Sequence, residues 1–253
     1  MLSPEELSRY SRNILLDEVR RVGQEKLKSS KVCIVGAGGL GSPALLYLTA
    51  SGVGNIKIFD SDTIDTTNLQ RQIIYHHSDI GRSKAETGRQ HAQELNPYIR
   101  IQGETIRLTA ENAEESLSGF DLVLEGSDNF DTKFLINDTC VRLKIPLITA
   151  GVLRFEGMVM GIRPNQDACF RCVYETAPPA EAVPSCSEAG VIGSVAGIIG
   201  SIQSTEAVKF LLGFHNVGED GLFGHMIQVE TKTMQFRKIP LLRRPDCSSC
   251  GRT

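Results

Sequence analysis

The sequence predicts an α/β fold, a twisted and mostly parallel sheet with helices on both faces and an antiparallel C-terminal part. Three observations carry that expectation. From Lys31 onward, short apolar runs of strand length alternate with segments of helix length. The first run ends in a glycine-rich turn that opens a helix. No internal repeat or low-complexity linker divides the 253 residues, and 41% hydrophobic side chains suffice for one large core.

Ser3-Pro4-Glu5-Glu6 is a helix start, with Ser3 as N-cap, Pro4 in the first turn and Glu6 reaching back, so a short helical arm precedes the alternating region. The strand KVCIV, a helix through Leu45 to Ala50 and the strand NIKIF make a βαβ unit. A helix over 82–95, a strand over 99–106, a helix in TAENAEESLSG, the strand DLVLEG, a helix over 130–143 and the strand PLITAG continue the alternation. Beyond Gly151, strands are expected at 158–162, 226–230 and 234–237, with a Pro-rich loop at 177–184 and a long helix at 191–212 between them.

Composition excludes some functions. A net charge of -3 gives no general basic field, so nucleic acid is not expected as a partner. The N-terminus lacks the charged-then-apolar pattern of an export signal, which predicts a cytoplasmic protein with reduced cysteines. The longest greasy stretch, Val191 to Ile202, falls short of the ~20 apolar residues that cross a bilayer and is read as a buried helix, so no membrane association is expected.

Gly36-Ala37-Gly38-Gly39-Leu40-Gly41 fits the G-x-G-x-x-G pattern between a strand and a helix, where backbone N–H groups can cradle phosphate in a Rossmann-like unit. Asp60, at the end of the second strand, has the separation expected of a carboxylate that grips a ribose. These two features alone predict an NAD-dependent oxidoreductase as readily as an ATP enzyme.

The segment after Asp60 carries more. RYSRN near the start, GAGGLGS, Asp60, TNLQRQ, GRSKA around Lys84, GSDNFDT around Asp128, two CxxC pairs and CSEAGVIG at Cys186 occur in order, and this set resembles the ThiF/MoeB/HesA family, relatives of ubiquitin-activating enzymes. The resemblance implies a single adenylylation domain over 1–253, with a helical arm at 1–28, a nucleotide-binding half at 29–151 and a zinc-bearing, carrier-binding half at 152–253. It implies that Asn68 and Arg71 bind nucleotide, that Lys84 contacts phosphate, that Asp128 ligates Mg²⁺ with Asn129 beside it, and that Arg12 enters the neighbouring subunit's site in a homodimer.

Elementary chemistry supports the same residues. Attack at the α-phosphorus of a triphosphate builds negative charge on the leaving pyrophosphate, which Arg71 and Lys84 are suited to stabilise. Asp128 follows the strand DLVLEG, at the carboxyl end of the sheet where ligands bind in such folds, and a carboxylate there can hold Mg²⁺ against phosphates. No protein nucleophile is required.

Cys169-Phe170-Arg171-Cys172 and Cys247-Ser248-Ser249-Cys250 supply four thiolates, the ligand set of a structural zinc site that would pin the C-terminal tail; two redox dithiols are the competing explanation. Cys33 and Cys140 are expected to be buried apolar residues. Cys186 precedes the long helix, and its choice between a catalytic thiol and an exposed loop cysteine stays open.

The function expected from the resemblance is ATP-dependent adenylylation of the C-terminal glycine carboxylate of a ubiquitin-like sulfur-carrier protein ending in Gly-Gly. Thiocarboxylate formation would follow, with sulfur from a cysteine desulfurase or rhodanese-like donor, in a thiamine, molybdopterin or thiolation pathway. Strands near Met158 and Met226 are expected to help grip the carrier. The alternatives are a related ATP enzyme acting on a tRNA or peptide, an NAD-dependent oxidoreductase, and a zinc-braced protein that binds a partner without catalysis.

Overall fold

A computed structural model describes residues 1–177, 189–214 and 221–251. The arm folds as two short helices, α1 (Pro4–Arg9) and α2 (Ser11–Ile14), followed by α3 (Arg20–Ser29). The expected capping box is present: Ser3 Oγ accepts the Glu6 N–H at 3.2 Å, and Glu6 Oε2 accepts the Ser3 N–H at 2.7 Å.

The alternating region follows as β1 (Lys31–Val35), α4 (Gly41–Ser51), β2 (Asn55–Phe59), α5 (Lys84–Leu95), β3 (Arg100–Glu104), α6 (Ala113–Leu117), β4 (Leu122–Glu125), α7 (Phe130–Leu143) and β5 (Leu147–Leu153). Then come β6 (Glu156–Ile162), α8 (Phe170–Val173), α9 (Gly193–Leu212), β7 (His225–Glu230) and β8 (Gln235–Pro240). One eight-stranded sheet has the order β3-β2-β1-β4-β5-β6-β7-β8. The first five strands in the chain pair in parallel, and β5 to β8 pair antiparallel, as the sequence predicts.

Period-two alternation splits the core into two layers. Val32, Ile34, Leu122, Leu124, Ile148 and Ala150 face the side covered by α3, α4, α5 and α9. Cys33, Val35, Val123 and Leu147 face the opposite side with residues of α6, α7 and α8. Cys33 and Cys140 are buried, and burial pushes both thiols well above their ordinary range, so they are apolar core residues as expected.

The long helix differs from its expected extent. It starts at Gly193 and runs 20 residues without a break, so it is long and apolar enough to cross a membrane by length and composition alone. Its environment is the sheet: α9 lies on β5 and β6 and against α3 and α4. Buried Gln203 on α9 donates its side-chain amide to the carbonyls of Glu125 and Ile148, which ties the helix to the carboxyl end of β4 and the start of β5. The Pro-rich loop, apart from Ala177, and Cys186 lie outside the described residues.

Candidate active site

The strand order reverses between β1 and β4, and a crevice forms there at the carboxyl ends of the strands. The turns leaving these two strands touch. Gly36 has φ +93°, a left-handed conformation suited to glycine, and a Cβ on it would stand 3.2 Å from the Gly126 carbonyl carbon. Gly41 begins α4, where a Cβ would stand 1.9 Å from the Gly36 carbonyl oxygen. That position therefore closes the turn, whereas Gly36, Gly38 and Gly39 line the cavity itself.

The cavity has a volume of about 620 Å³. Asp60, Asn68, Arg71, Lys84, Asp128 and Asn129 all line it together with the three glycines. Residues separated by up to 93 positions in the sequence, from Gly36 to Asn129, thus share one space.

Asp60 leaves β2 and accepts the Ala37 N–H at 2.7 Å and the Asp62 N–H at 2.9 Å, so it fixes the glycine turn as well as facing the cavity. Burial raises its carboxyl above the ordinary range, against those N–H bonds and the nearby Lys84 charge. The Asn68 side-chain oxygen accepts the Asp65 N–H at 3.2 Å within a 3₁₀ turn over Thr66–Asn68. The next turn delivers Arg71, which donates to the Thr67 carbonyl at 3.0 Å. The Arg71 stem runs along the glycine turn, its Cγ 3.3 Å from where a Gly39 Cβ would be.

Lys84 is the first residue of α5 and only 7% exposed. A cation at a helix N-terminus works against the helix dipole, and among the described residues the only counter-charge bonded to Nζ is exposed Asp62 at 2.9 Å. An anion in the cavity would be drawn by the ammonium and by the helix end together. Tyr75 holds this corner: its buried hydroxyl lies 2.9 Å from the Ala37 carbonyl and 3.0 Å from that of Lys84.

Asp128 is exposed on the turn between β4 and α7, and Asn129 caps α7 by accepting the Thr132 N–H at 2.9 Å. Arg12 is exposed on α2 and does not line this chain's cavity.

A buried network beneath this turn was not found by sequence reasoning. Glu125, fully buried at the end of β4, pairs with Lys133 Nζ at 2.7 Å and accepts the Thr149 hydroxyl at 2.6 Å. Its other oxygen accepts the Ser127 N–H at 2.7 Å and the Ser127 hydroxyl. Lys133 also donates to the Ala150 carbonyl. The pair shapes the Ser127–Asn129 turn from below. Its only sequence signal was a carboxylate closing an otherwise apolar strand. Arg107, with Ile106 and Leu108 from the loop after β3, also lines the cavity, and no pattern marked it. On the far side the wall continues through Glu156, Gly157, Met158, Met226 and Gln228, on the adjacent strands β6 and β7.

The two CxxC pairs meet elsewhere in the chain. All four Sγ atoms lie within 4.8 Å of one another, with Cys169 at 3.6 Å from Cys247 and Cys172 at 3.4 Å from Cys250. Tetrahedral Zn²⁺ with bonds of about 2.3 Å requires S···S edges of about 3.8 Å, so the four thiols fit that ion. Burial opposes ionisation of Cys247, but the Cys250 and Ser249 N–H groups outweigh it and bring the thiol down to about 7.

The ThiF family profile matches residues 10–249. The chain belongs to the ThiF family. It is 42% identical to the sulfur carrier protein adenylyltransferase of Thermus thermophilus, covering 98% of this chain and 92% of that protein. Similarity to the SAMP-activating enzyme E1 of Haloferax volcanii is 40%, over 99% of this chain and 91% of the relative. The Aedes aegypti adenylyltransferase and sulfurtransferase MOCS3 is 40% identical, but the chain spans only 56% of it. Among solved structures, E. coli MccB with ATP has a TM-score of 0.81 at 20% identity, over 100% of this chain and 83% of that one, a likeness of fold.

Replacing Glu125 by Gln would leave Lys133 buried without its anion. Loss of one partner of a buried pair costs about 3–5 kcal/mol, and Glu125→Leu with Lys133→Met should recover most of it. Urea unfolding of the wild type and the two variants measures this; a Glu125→Gln loss below about 1 kcal/mol would mean that the pair does not hold the turn.

Proposed function

We infer that this protein uses ATP to adenylylate the C-terminal carboxylate of a ubiquitin-like sulfur-carrier protein. The observation that carries the reading is the meeting of the glycine turn, Asp60, Arg71, Lys84 and Asp128 in one cavity, in a chain 42% identical to a sulfur carrier protein adenylyltransferase. A nicotinamide cofactor would account for the glycines and Asp60, but its diphosphate carries less charge than a triphosphate and gives Arg71 and Lys84 little to neutralise.

In this reading the turn at Gly36–Gly39 receives phosphates on its backbone N–H groups, and Asp60 accepts hydrogen bonds from the ribose. Arg71 and Lys84 face the triphosphate from the glycine turn and the α5 terminus. Asp128 would hold Mg²⁺, with Asn129 beside it, and the bound ion would offset phosphate charge. A terminal carboxylate oxygen of the carrier attacks the α-phosphorus; the bond from that phosphorus to the bridging oxygen breaks, and its electron pair leaves with pyrophosphate. Arg71 and Lys84 stabilise that charge. The resulting acyl-adenylate is a mixed anhydride that sulfur from a separate donor protein can attack to give a thiocarboxylate.

The wall on β6 and β7 supports a path for the carrier tail. Met158, Met226 and Gln228 line the cavity together with Gly157, and a narrow Gly-Gly end suits that lining. The nucleotide-binding half at 29–151 and the carrier-binding half at 152–253 are then two regions of one adenylylation domain. The four cysteines are proposed as a structural Zn²⁺ site in the second region, bracing the C-terminal tail against α8. Arg12 is proposed to complete the cavity of a partner subunit in a homodimer. Cys186 is not required for adenylylation.

ATP–pyrophosphate exchange should depend on a carrier ending in Gly-Gly and vanish when the last glycine is deleted. Lys84→Ala and Arg71→Ala should each lower exchange by about two orders of magnitude or more with the fold intact by circular dichroism. Near-normal exchange in both variants, or none with any carrier despite ATP binding, would overturn the assignment.

If Arg12 acts across a dimer, Arg12→Ala and Lys84→Ala chains that are each inactive should complement when refolded together, giving roughly a quarter of wild-type exchange from the one intact site in each heterodimer. No recovery would place Arg12 elsewhere. Metal analysis of the untagged protein should give one zinc per chain, and Cys172→Ser should lower Tm; a metal-free wild type would exclude the structural zinc.

A further inference from the structure

A second group of metal-ligating side chains lies outside both the cavity and the cysteine cluster. His76, Asp79 and His91 bring one ligand atom each to within 4.8 Å of one another. His76 precedes and Asp79 ends a 3₁₀ turn over His77–Asp79, and His91 projects from α5.

The hydrogen bonding fixes what these groups present to each other. His91 Nδ1 lies 2.6 Å from the Ile74 carbonyl oxygen. A carbonyl only accepts, so Nδ1 carries the proton and Nε2 of the neutral ring is a bare lone pair. That lone pair faces Asp79 Oδ2 at 3.5 Å, and His76 Nδ1 approaches the same oxygen at 3.7 Å. The His91 side chain is only 14% exposed and that of Asp79 only 4%. A carboxylate oxygen and two imidazole nitrogens thus converge at spacings too long for direct hydrogen bonds.

The carboxylate is held in place for this. Its Oδ2 accepts the His76 N–H at 2.9 Å, and its Oδ1 accepts Arg82 at 2.8 Å. The two imidazole rings lie 4.6 Å apart between centroids and tilted by 38° rather than stacked flat.

We propose that His76, Asp79 and His91 bind a first-row divalent transition-metal ion, in addition to any ion on the four cysteines. Metal bonds of about 2.0–2.1 Å require ligand edges of about 3.4 Å in tetrahedral geometry, so the two edges to Asp79 need to shorten by only about 0.1–0.3 Å, while the edge between the imidazoles, within 4.8 Å, closes by rotation of the exposed His76 side chain. A proton fixed on Nδ1 by a backbone carbonyl is the usual outer support of a ligating histidine. Two imidazoles and one carboxylate select Zn²⁺, Co²⁺ or Ni²⁺ over Mg²⁺ and Ca²⁺, which favour oxygen ligands. Arg82 takes part of the Asp79 charge, so this ion binds more weakly than one on four thiolates. When bound, it ties the segment between Arg71 and Lys84 to the body of α5 and restrains the approach to both cations.

The test titrates untagged protein, its cysteine site already filled with zinc, with Co²⁺. One Co²⁺ per chain should bind without a thiolate-to-cobalt charge-transfer band, broaden or shift the imidazole signals of His76 and His91, and be displaced by Zn²⁺ but not by Mg²⁺. His76→Ala, at a side chain 70% exposed and therefore harmless to the fold, should weaken binding about tenfold or more, and His91→Gln should abolish it. His77→Ala should leave it unchanged. No Co²⁺ beyond the cysteine site, unchanged affinity in His76→Ala, or loss in His77→Ala would each overturn the proposal. Imidazole signals that titrate with pH but ignore Co²⁺ would also overturn it, and would mean that a proton rather than a metal occupies the space between His91 and Asp79.

Discussion

The close approach of two turns, one after β1 and one after β4, is the constraint on which the rest of the site depends. Parallel strands diverge at a switch point because their connections leave in opposite directions, and the backbone exposed there can meet a ligand only if side chains stay out of the gap. Gly36 and Gly126 meet with no Cβ between them, and Gly41 lets α4 start directly over the Gly36 carbonyl. Asp60 then fastens the first turn through the Ala37 N–H, and Glu125 fastens the second through the Ser127 N–H. Each turn is anchored by a carboxylate at or just after the end of a strand.

Onto this scaffold the chain places charges in positions that do not favour the isolated protein. Lys84 opposes the dipole of its own helix, and ionised Asp60 is a carboxylate under a burial penalty. The linkage sign follows: a carboxyl raised in the folded state binds more protons there than when unfolded, so its contribution to stability falls as pH rises from the ordinary carboxylate range through the raised value. Groups that cost the folded state something and converge on one cavity are the pattern expected of a binding site for a charged ligand. The Glu125–Lys133 pair is different, because its charges satisfy each other and four further groups, and it serves the geometry of the turn.

The elements were legible where one physical signal dominated. KVCIV and NIKIF match β1 and β2 residue for residue, because five-residue segments rich in β-branched side chains on either side of a glycine turn and a helix suit strands of a βαβ unit. The helix over 130–143 was equally plain, with Asn129 available as its cap. Edges blurred where tertiary contacts decide: the strand expected over 99–106 pairs only from Arg100 to Glu104, and Ile106 turns into the cavity wall. At the site, residues set in ordered motifs were readable, since chain order and strand ends together fix which end of the sheet they reach. Lys133 was not, because a lysine within a helix looks like surface until its buried acid is seen. The triad of His76, Asp79 and His91 was invisible for the same reason, since its third member sits 12 positions beyond the second on another element.

The cavity also bears on the kind of chemistry it can host. Among the described residues that line it there is no cysteine or histidine, and the hydroxyl of Ser127, beside the Glu125–Lys133 pair, donates to Glu125. Glu125 could serve as a base toward that hydroxyl only if its charge were free, but Lys133 neutralises it and Thr149 occupies the same oxygen. Activation of Ser127 as a nucleophile would therefore need the buried pair to be broken, at a cost of several kcal/mol before any chemistry began. Among the described residues, what remains for a ligand is backbone N–H groups, the cations Arg71, Lys84 and Arg107, carboxylates and neutral polar side chains, a set that can orient two reactants and absorb the charge developed between them. Direct transfer between bound substrates is the chemistry such a set supports, and under the proposed function the demand for specificity would fall on the wall formed by β6 and β7.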